Sequence, residues 1–443
     1  MQTVFNQSIW GDEGFSAILS MKSLPEIIKI IATDTSPPLW NITEYIAFQI
    51  FGTGEIVIRS LALIFFLGTI FFTYKIGKLL WDKKTGILAA LLTFLNPFFF
   101  TYAFEGRMYS IMALGVAASM YFFLKIVRSK KASKKDLAGY VIGTLWAMYS
   151  HHFAIFTIFV QGLWFLYELV RGNKKVAIQI FKGFVFVGIG YLPWLIPLYN
   201  QTKMVGGGFW LGTPTAKDLA KLLGEYLAAG IKHKLAFPAL YLTLVALLFR
   251  NWGKEIKDTL FLVSWFLGPI LLTWIVSQFF QSIFFNRYLL YTIPGAMLIL
   301  ASNKRKVSCV LISVLIILFA VIDFHYFTNP TKRPFRELSV YVKQTIQEGD
   351  FLINWNAGSH HLWETKYYGI PAPIYISPDG GSLPYFVGTA LMEEVDVVRE
   401  IPKGTLRVGI VTSGSLDEVD LPGYTEGERK ELRDLNFAWY TLE

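Results

Sequence analysis

Several short stretches of this 443-residue chain carry side chains able to do chemistry. Trp10-Gly-Asp-Glu-Gly-Phe-Ser16 sets two adjacent carboxylates, Asp12 and Glu13, between aromatic residues. Asp34-Thr-Ser-Pro-Pro-Leu-Trp40 places a third carboxylate ahead of a Pro-Pro pair that fixes the backbone. Glu105-Gly-Arg-Met-Tyr109 and Asn286-Arg-Tyr288 put Arg107, Tyr109, Arg287 and Tyr288 at the ends of apolar runs, and His151 and His152 sit at another such end. Each has a plain structural reading: a solvated acidic turn, a capping Asp34, a Glu105–Arg107 ion pair, an Arg287 that snorkels to headgroups, or histidines that anchor an interface. Taken together they suit transfer chemistry on an anionic substrate. Arginine binds phosphate through two parallel hydrogen bonds and stays charged. A carboxylate can take the proton of an attacking hydroxyl. Fixed cations stabilise a leaving phosphate best where water is scarce.

The elements that must position these residues are membrane helices. Hydrophobic residues make up 53% of the chain and charged residues 16%, well below the roughly 25% charge of soluble domains. The excess lies in long runs at 55–76, 86–104, 108–127, 153–170, 177–198, 258–280 and 306–327. A helix needs about 20 apolar residues to cross a bilayer core. Shorter runs at 137–150, 236–250 and 288–301 alternate with these, which gives about ten spans. Residues 1–15 have neither a basic start nor an apolar core, so no signal peptide is read. The single cysteine, Cys309, permits no intrachain disulfide.

The net charge of +9 belongs to loops rather than to a nucleic-acid surface. Lys75, Lys78, Lys83 and Lys84 follow the first span. Later rich loops hold Arg128, Lys130, Lys131, Lys134 and Lys135, then Arg171, Lys174 and Lys175, then Arg250, Lys254 and Lys257, then Lys304, Arg305 and Lys306. Poor loops alternate with them. The positive-inside rule puts the rich loops in the cytoplasm. Residues 1–54, the 103–107 turn, His151, the 199–235 loop, Arg287 and the C-terminal region then face outward. This count of Lys and Arg alone gathers the candidate residues on one face.

Residues 1–54 read as a first external loop with short amphipathic helices. Residues 1–327 form a transmembrane domain, and residues 328–443 a separate small α/β domain. In the latter, strand-length apolar runs at 350–355, 373–377 and 406–412 alternate with helical patterns at 334–347 and 426–433. Trp355, His360, His361 and Trp363 receive no catalytic role.

The ordered motifs resemble the GT-C superfamily of integral membrane glycosyltransferases, in particular the family-39-like group of protein O-mannosyltransferases and bacterial lipid A aminoarabinose transferases. The 10–16 stretch is similar to that family's first external loop. Residues 34–39 match its Asp-Thr-His-Pro-Pro-Leu with Ser36 in place of His, and 105–109 match its Glu-Ala-Arg-Met-Tyr. Tyr149-Ser-His-His-Phe-Ala154, Tyr191-Leu-Pro-Trp194, Phe209-Trp-Leu211 and Asn286-Arg-Tyr-Leu-Leu290 also fit, with Tyr291 replacing a proline. The similarity covers roughly residues 8–330 in order.

The resemblance implies a polytopic GT-C-like helical fold and inverting transfer of a sugar from a polyprenyl-phosphate donor to a lipid, protein or glycan acceptor. The protein would lie in the plasma (inner) membrane among membrane lipids, with its active face and C-terminal domain extracytoplasmic and no nucleic-acid partner. It implies Asp12 as general base or acceptor-binding residue, assisted by Glu13, with Asp34 as a second acidic residue. Arg107, Tyr109, Arg287 and Tyr288 would contact the donor phosphate, and Glu105, His151 and His152 are candidates for substrate contacts. No cofactor is implied. Ser36 in place of His removes one metal contact, so a divalent metal is not assumed. Family members carry a transmembrane helix ahead of the acidic loop, and none is read before Trp10. Two rival readings remain. A flippase of lipid-linked sugars should show paired repeats and polar midplane helices, and a non-catalytic scaffold leaves the acidic motifs unexplained.

Overall fold

The structure is a computed structural model that describes residues 2–129, 133–250, 255–355 and 360–443. Lys130, Lys131 and Lys254 of the basic loops lie outside the described residues, as does the side chain of His360. The chain forms two compact units. One comprises Met1–Asp34, Asn41–Ile58 and Asn329–Glu443, and the other Thr35–Trp40 and Arg59–Thr328. Most of the first external loop therefore belongs with the C-terminal region.

Helices α1 (Gly11–Ser20), α2 (Leu24–Ile31) and α3 (Leu39–Phe51) fill that loop. Asp12 and Glu13 stand in the first turn of α1, where negative charge suits the helix dipole. The chain continues through α4 (Glu55–Leu80), α5 (Lys83–Phe94), α6 (Pro97–Thr101), α7 (Tyr109–Arg128), α8 (Lys134–Ser150), α9 (Ile155–Val170), α10 (Lys174–Tyr191) and α11 (Leu195–Gly206). Then follow α12 (Ala216–Gly224), α13 (Ala236–Leu248), α14 (Ile256–Phe279), α15 (Asn286–Leu289), α16 (Ile293–Ala301) and α17 (Lys306–Thr328).

Among the described residues, six helical stretches are long and apolar enough to cross a membrane: Glu55–Leu80, Tyr109–Arg128, His152–Val170, Lys174–Gly206, Ile256–Phe279 and Lys306–Thr328. A seventh is made if α5 and the following Pro97–Phe104 stretch count as one span bent by 58°. The bend has a local cause. Pro97 lacks the N–H that would continue α5. Asn96 restarts the helix by accepting the Phe99 N–H at 3.0 Å, and it ties the corner down by donating to the Tyr226 carbonyl at 2.8 Å. The other apolar runs become α8, α13 and α16, of 17, 13 and 9 residues.

Small residues set the packing in the middle of the helical unit. A Cβ on Gly115 would stand 2.6 Å from the backbone nitrogen of Ala147, and one on Gly143 2.8 Å from that of Ser119. Helices α7 and α8 thus touch backbone to backbone, the way membrane helices gain dispersion contact without a hydrophobic driving force. Buried hydroxyls and an amide join them: Ser119 to Thr144 at 2.8 Å, Gln161 to Ser119 at 2.9 Å and Tyr140 to Gln161 at 2.9 Å. Several charges of the basic loops are paired, Arg128 with Asp258, Lys257 with Glu168 and Lys304 with Asp82.

In the first unit, α18 (Phe335–Thr345), β1 (Phe351–Asn354), α19 (His360–Tyr367), β2 (Ile374–Tyr375), β3 (Val397–Val398), β4 (Arg407–Thr412), β5 (Tyr424–Leu432) and β6 (Leu435–Leu442) form the expected α/β domain. The sheet order is β3-β2-β1-β4-β6-β5, parallel through its first four strands and antiparallel at β6 and β5. Strand alternation splits the core. Leu352, Val411, Phe437 and Trp439 face one side with Phe335, Leu338 and Val342. Ile353, Val408, Ile410 and Ala438 face the other.

The helix expected over 426–433 is instead the edge strand β5. Its Glu, Arg and Lys residues favour a helix in isolation. The turn at Arg433, which adopts a φ of 52°, folds the segment back so that it pairs with β6. A charged, exposed edge is how sheets avoid further pairing.

Candidate active site

The acidic turn is built within the first unit. Glu13 is buried, Asp12 is half-buried, and Glu13 accepts the backbone N–H of Trp10 at 3.3 Å, which stiffens the entry into α1. Helix α3 braces the next two turns. Asn41 donates to the Ser16 carbonyl at 3.3 Å and to the Ser20 hydroxyl at 3.1 Å, and Ser20 donates to Glu44 at 2.8 Å. All four residues are buried, so this polar set fixes α1 relative to α3. On its other side α1 meets α19. A Cβ on Gly14 would lie 2.8 Å from the carbonyl carbon and oxygen of Trp363, and Phe15 packs edge-on against the Trp363 ring at 5.3 Å. The Trp363 indole donates to the Val387 carbonyl at 3.1 Å. Trp363 is thus a packing residue, while Trp355 stacks on Tyr375 and His361 packs against Phe335. Residues 329–336 hold the segment before α1: the Gln7 side chain accepts the N–H groups of Thr331 and Lys332, and the Lys332 ammonium stands 4.3 Å over the Trp10 ring.

The basic and aromatic residues gather in the second unit. The Arg287 guanidinium lies 5.0 Å from the Phe285 ring centre, 5.7 Å from that of Tyr109 and 5.9 Å from that of Tyr288. Tyr109 and Tyr288 stack at 6.3 Å, and the His151 ring lies 5.0 Å from Tyr288 and 6.3 Å from Tyr109. Four sequence-predicted residues from three separate motifs thus form one cluster. Its backbone is tied down. Asn286 donates to Glu225 at 2.9 Å and accepts the Arg287 N–H at 2.8 Å, and the Tyr226 hydroxyl donates to the Asn286 carbonyl. The Tyr291 hydroxyl donates to the Phe153 carbonyl at 2.9 Å, fixing the turn that carries His151.

His151 accepts the Phe153 N–H on Nδ1 at 3.2 Å, which leaves its proton on Nε2. Burial holds the imidazole well below its ordinary range, and His152, Arg107 and Arg287 push the same way. His151 is therefore a neutral hydrogen-bond donor near two cations, an arrangement suited to an anionic oxygen. Arg107 is half-buried and Glu105 buried, on the turn where the Arg107 N–H reaches the Glu105 carbonyl at 2.7 Å.

His152 points elsewhere. Its Nε2 donates to Gln201 at 2.7 Å, and Gln201 donates to the Ser36 carbonyl at 3.3 Å. Tyr191 stands 3.4 Å from its Nδ1. This chain of contacts anchors residues 35–40, just after the buried Asp34, and reads as positioning. Asp12, Glu13 and Asp34 belong to the first unit, and Glu105, Arg107, Tyr109, His151, His152, Arg287 and Tyr288 to the second.

Sequence motifs missed the residues that hold these groups: Gln201, Tyr226, Glu225, Asn41 and Glu44. None sits in a motif, and only their contacts mark them. Among the described residues, no three His, Cys, Asp or Glu side chains gather as a metal site.

The architecture is that of GT-C glycosyltransferases, a class of polytopic membrane enzymes. Residues 35–196 match the model of the dolichyl-phosphate-mannose-protein mannosyltransferase family. The fold is similar to that of ArnT from Cupriavidus metallidurans in the apo state, with a TM-score of 0.63 at 12% identity over 98% of this chain and 95% of that one. The same enzyme bound to undecaprenyl phosphate matches with a TM-score of 0.55 at 12% identity, over 98% and 96% of the two chains. An Archaeoglobus fulgidus oligosaccharyltransferase, in complex with zinc and sulfate, matches with a TM-score of 0.55 at 13% identity, over 91% of this chain and 64% of that one. Among curated proteins, none matches this chain in sequence. The resemblance to GT-C enzymes read from the motifs is borne out: this chain is a polytopic helical membrane protein of GT-C fold with a small C-terminal α/β domain.

Proposed function

We propose that this protein transfers a sugar from a polyprenyl-phosphate donor to a lipid, protein or glycan acceptor at the outer face of the plasma (inner) membrane. The observation that carries the reading is the cluster of Arg287, Tyr109, Tyr288 and His151, with the charge of Arg107 reaching it. Such a group fits a phosphate diester that becomes a more highly charged monoester as it leaves. The guanidinium offers paired donors and His151 Nε2 a neutral one. The ArnT structure that binds undecaprenyl phosphate has the same fold, which supports a lipid-phosphate donor. The alternation of basic loops supports the outward orientation of the site and of the C-terminal domain.

In this mechanism an acceptor hydroxyl attacks the anomeric carbon from the side opposite the phosphate. The new C–O bond forms as the bond to the phosphate oxygen breaks, and the configuration inverts. The hydroxyl proton passes to Asp12, and the electron pair of the broken bond stays on the polyprenyl phosphate, where Arg107 and Arg287 stabilise it. Glu13 and Asp34 assist Asp12, and Glu105 and His152 support substrate contacts. The arginines carry the charge stabilisation, and the reading requires no cofactor.

The test is transfer of radiolabelled sugar from polyprenyl-phosphate donors in reconstituted membranes, for the parent and for Asp12→Asn. Transfer by the parent, with loss of transfer but retained donor binding in Asp12→Asn, is the expected result. Equal activity would move the base to Asp34. Movement of donor lipid across the bilayer without transfer would replace the reading with a flippase.

A further inference from the structure

The acidic turn has a third carboxyl group beside it, and it comes from the C-terminal domain. Glu364 of α19 is almost completely buried, at 1% exposure, and its Oε2 has no hydrogen-bond partner among the described residues. The backbone N–H of Gly11, the first residue of α1, is near enough to the carboxyl to favour its charged form. The charges that reach it are Arg333 and Lys332 from the segment entering α18, and Glu13 from α1. On α19 itself, His361 lies one turn earlier and Lys366 is paired with Asp396, while Arg336 of α18 is engaged with Glu55.

Capping alone does not account for this arrangement. A cap needs one oxygen, and a serine or asparagine supplies it without burying a carboxylate. A buried carboxylate with an empty oxygen is costly unless it keeps its proton. Two carboxyls near each other in a buried site do not both ionise readily.

We propose that Glu364 is a positioning residue for sugar transfer: buried where α19 packs on α1, with one oxygen left empty, it holds the first turn of α1 in place. This rests on the transferase reading of the Asp12–Glu13 turn. Burial pushes its carboxyl up to about 8, with Glu13 adding to the rise and Arg333 and Lys332 opposing it. Below that value the proton stays on Oε2, and Glu364 adds no charge to the turn. Above it, a second buried carboxylate faces Glu13, and the turn that aims Asp12 must shift. Transfer should therefore fall as pH rises through the Glu364 transition.

The experiment compares the full-length parent, Glu364→Gln and Glu364→Ala in reconstituted membranes, by two measurements. Infrared spectra follow the protonated carboxyl band through a pH titration, and initial transfer rates are taken across the same range. Expected are a carboxylic acid band in the parent that disappears near the predicted transition and is absent from Glu364→Gln, and an alkaline fall in rate that Glu364→Gln lacks. Gln keeps the shape of the neutral carboxyl, so its neutral-pH rate should stay near the parent's, while Glu364→Ala should be slow at every pH. Superimposable pH–rate profiles for parent and Glu364→Gln, or a parent without the acid band at neutral pH, would overturn the proposal. Absence of transfer in the parent at every pH, with the band present, would instead sink the transferase reading and remove the role in transfer with it.

Discussion

Replacing Gly14 by Ala tests whether the acidic turn is held by backbone contact between α1 and α19. In an unobstructed helix this change stabilises by about 1 kcal/mol, because Gly loses the most entropy on folding. At Gly14 the new methyl would lie 2.8 Å from both the carbonyl carbon and the oxygen of Trp363, and 3.1 Å from its Cβ. Backbone atoms cannot swing away as a long side chain can. Overpacking of this kind costs roughly 1–3 kcal/mol, and with main chain on both sides the upper part of the range applies. The net effect expected is a loss of about 1–2 kcal/mol, or a fall of a few degrees in the unfolding midpoint. Gly162 of α9 has nothing within 4 Å of an added Cβ and serves as the control. Thermal unfolding of the purified protein, followed by tryptophan fluorescence, and sugar transfer are the assays. Gly14→Ala should lower both midpoint and rate, and Gly162→Ala neither. A Gly14→Ala protein as stable and as active as the parent would refute the reasoning.

Two further changes probe the second unit. Arg287→Lys keeps the charge but loses the paired donors and much of the stacking over Tyr109 and Tyr288; weaker donor binding by about tenfold is expected, read as a higher KM for donor. Gln201→Leu breaks the links to His152 and Ser36 and leaves buried polar groups unmatched. A loss of about 1–3 kcal/mol in stability should follow, seen as a lower unfolding midpoint.

Much of this was legible in the chain itself. Lipid demands long apolar helices and leaves charge in the loops, so the long spans and the alternation of basic loops need only local composition. Strand-length runs at 350–355 and 406–412 likewise marked β1 and β4, since a buried strand shows as a short apolar run. The segment 426–433 misled because its charged residues carry a helical preference of a few tenths of a kcal/mol each, while the turn at Arg433 folds it into a hairpin with β6, the strand that follows.

What only the tertiary structure decided is what holds and surrounds the motif residues. Gln201, Tyr226 and Asn41 act through contacts to residues 49 or more, 60 and 21 or more positions away, and no spacing rule reaches that far. Gly14 looks like any helical glycine until the Trp363 backbone stands against it. Glu364 lies in no motif, and its burial beside the turn of Asp12 and Glu13 comes from the packing of α19 on α1. The sequence thus specified which groups could react, because side-chain chemistry and hydrophobic length are local properties. The fold decided their burial and their neighbours, because packing and long-range contact are properties of the folded chain.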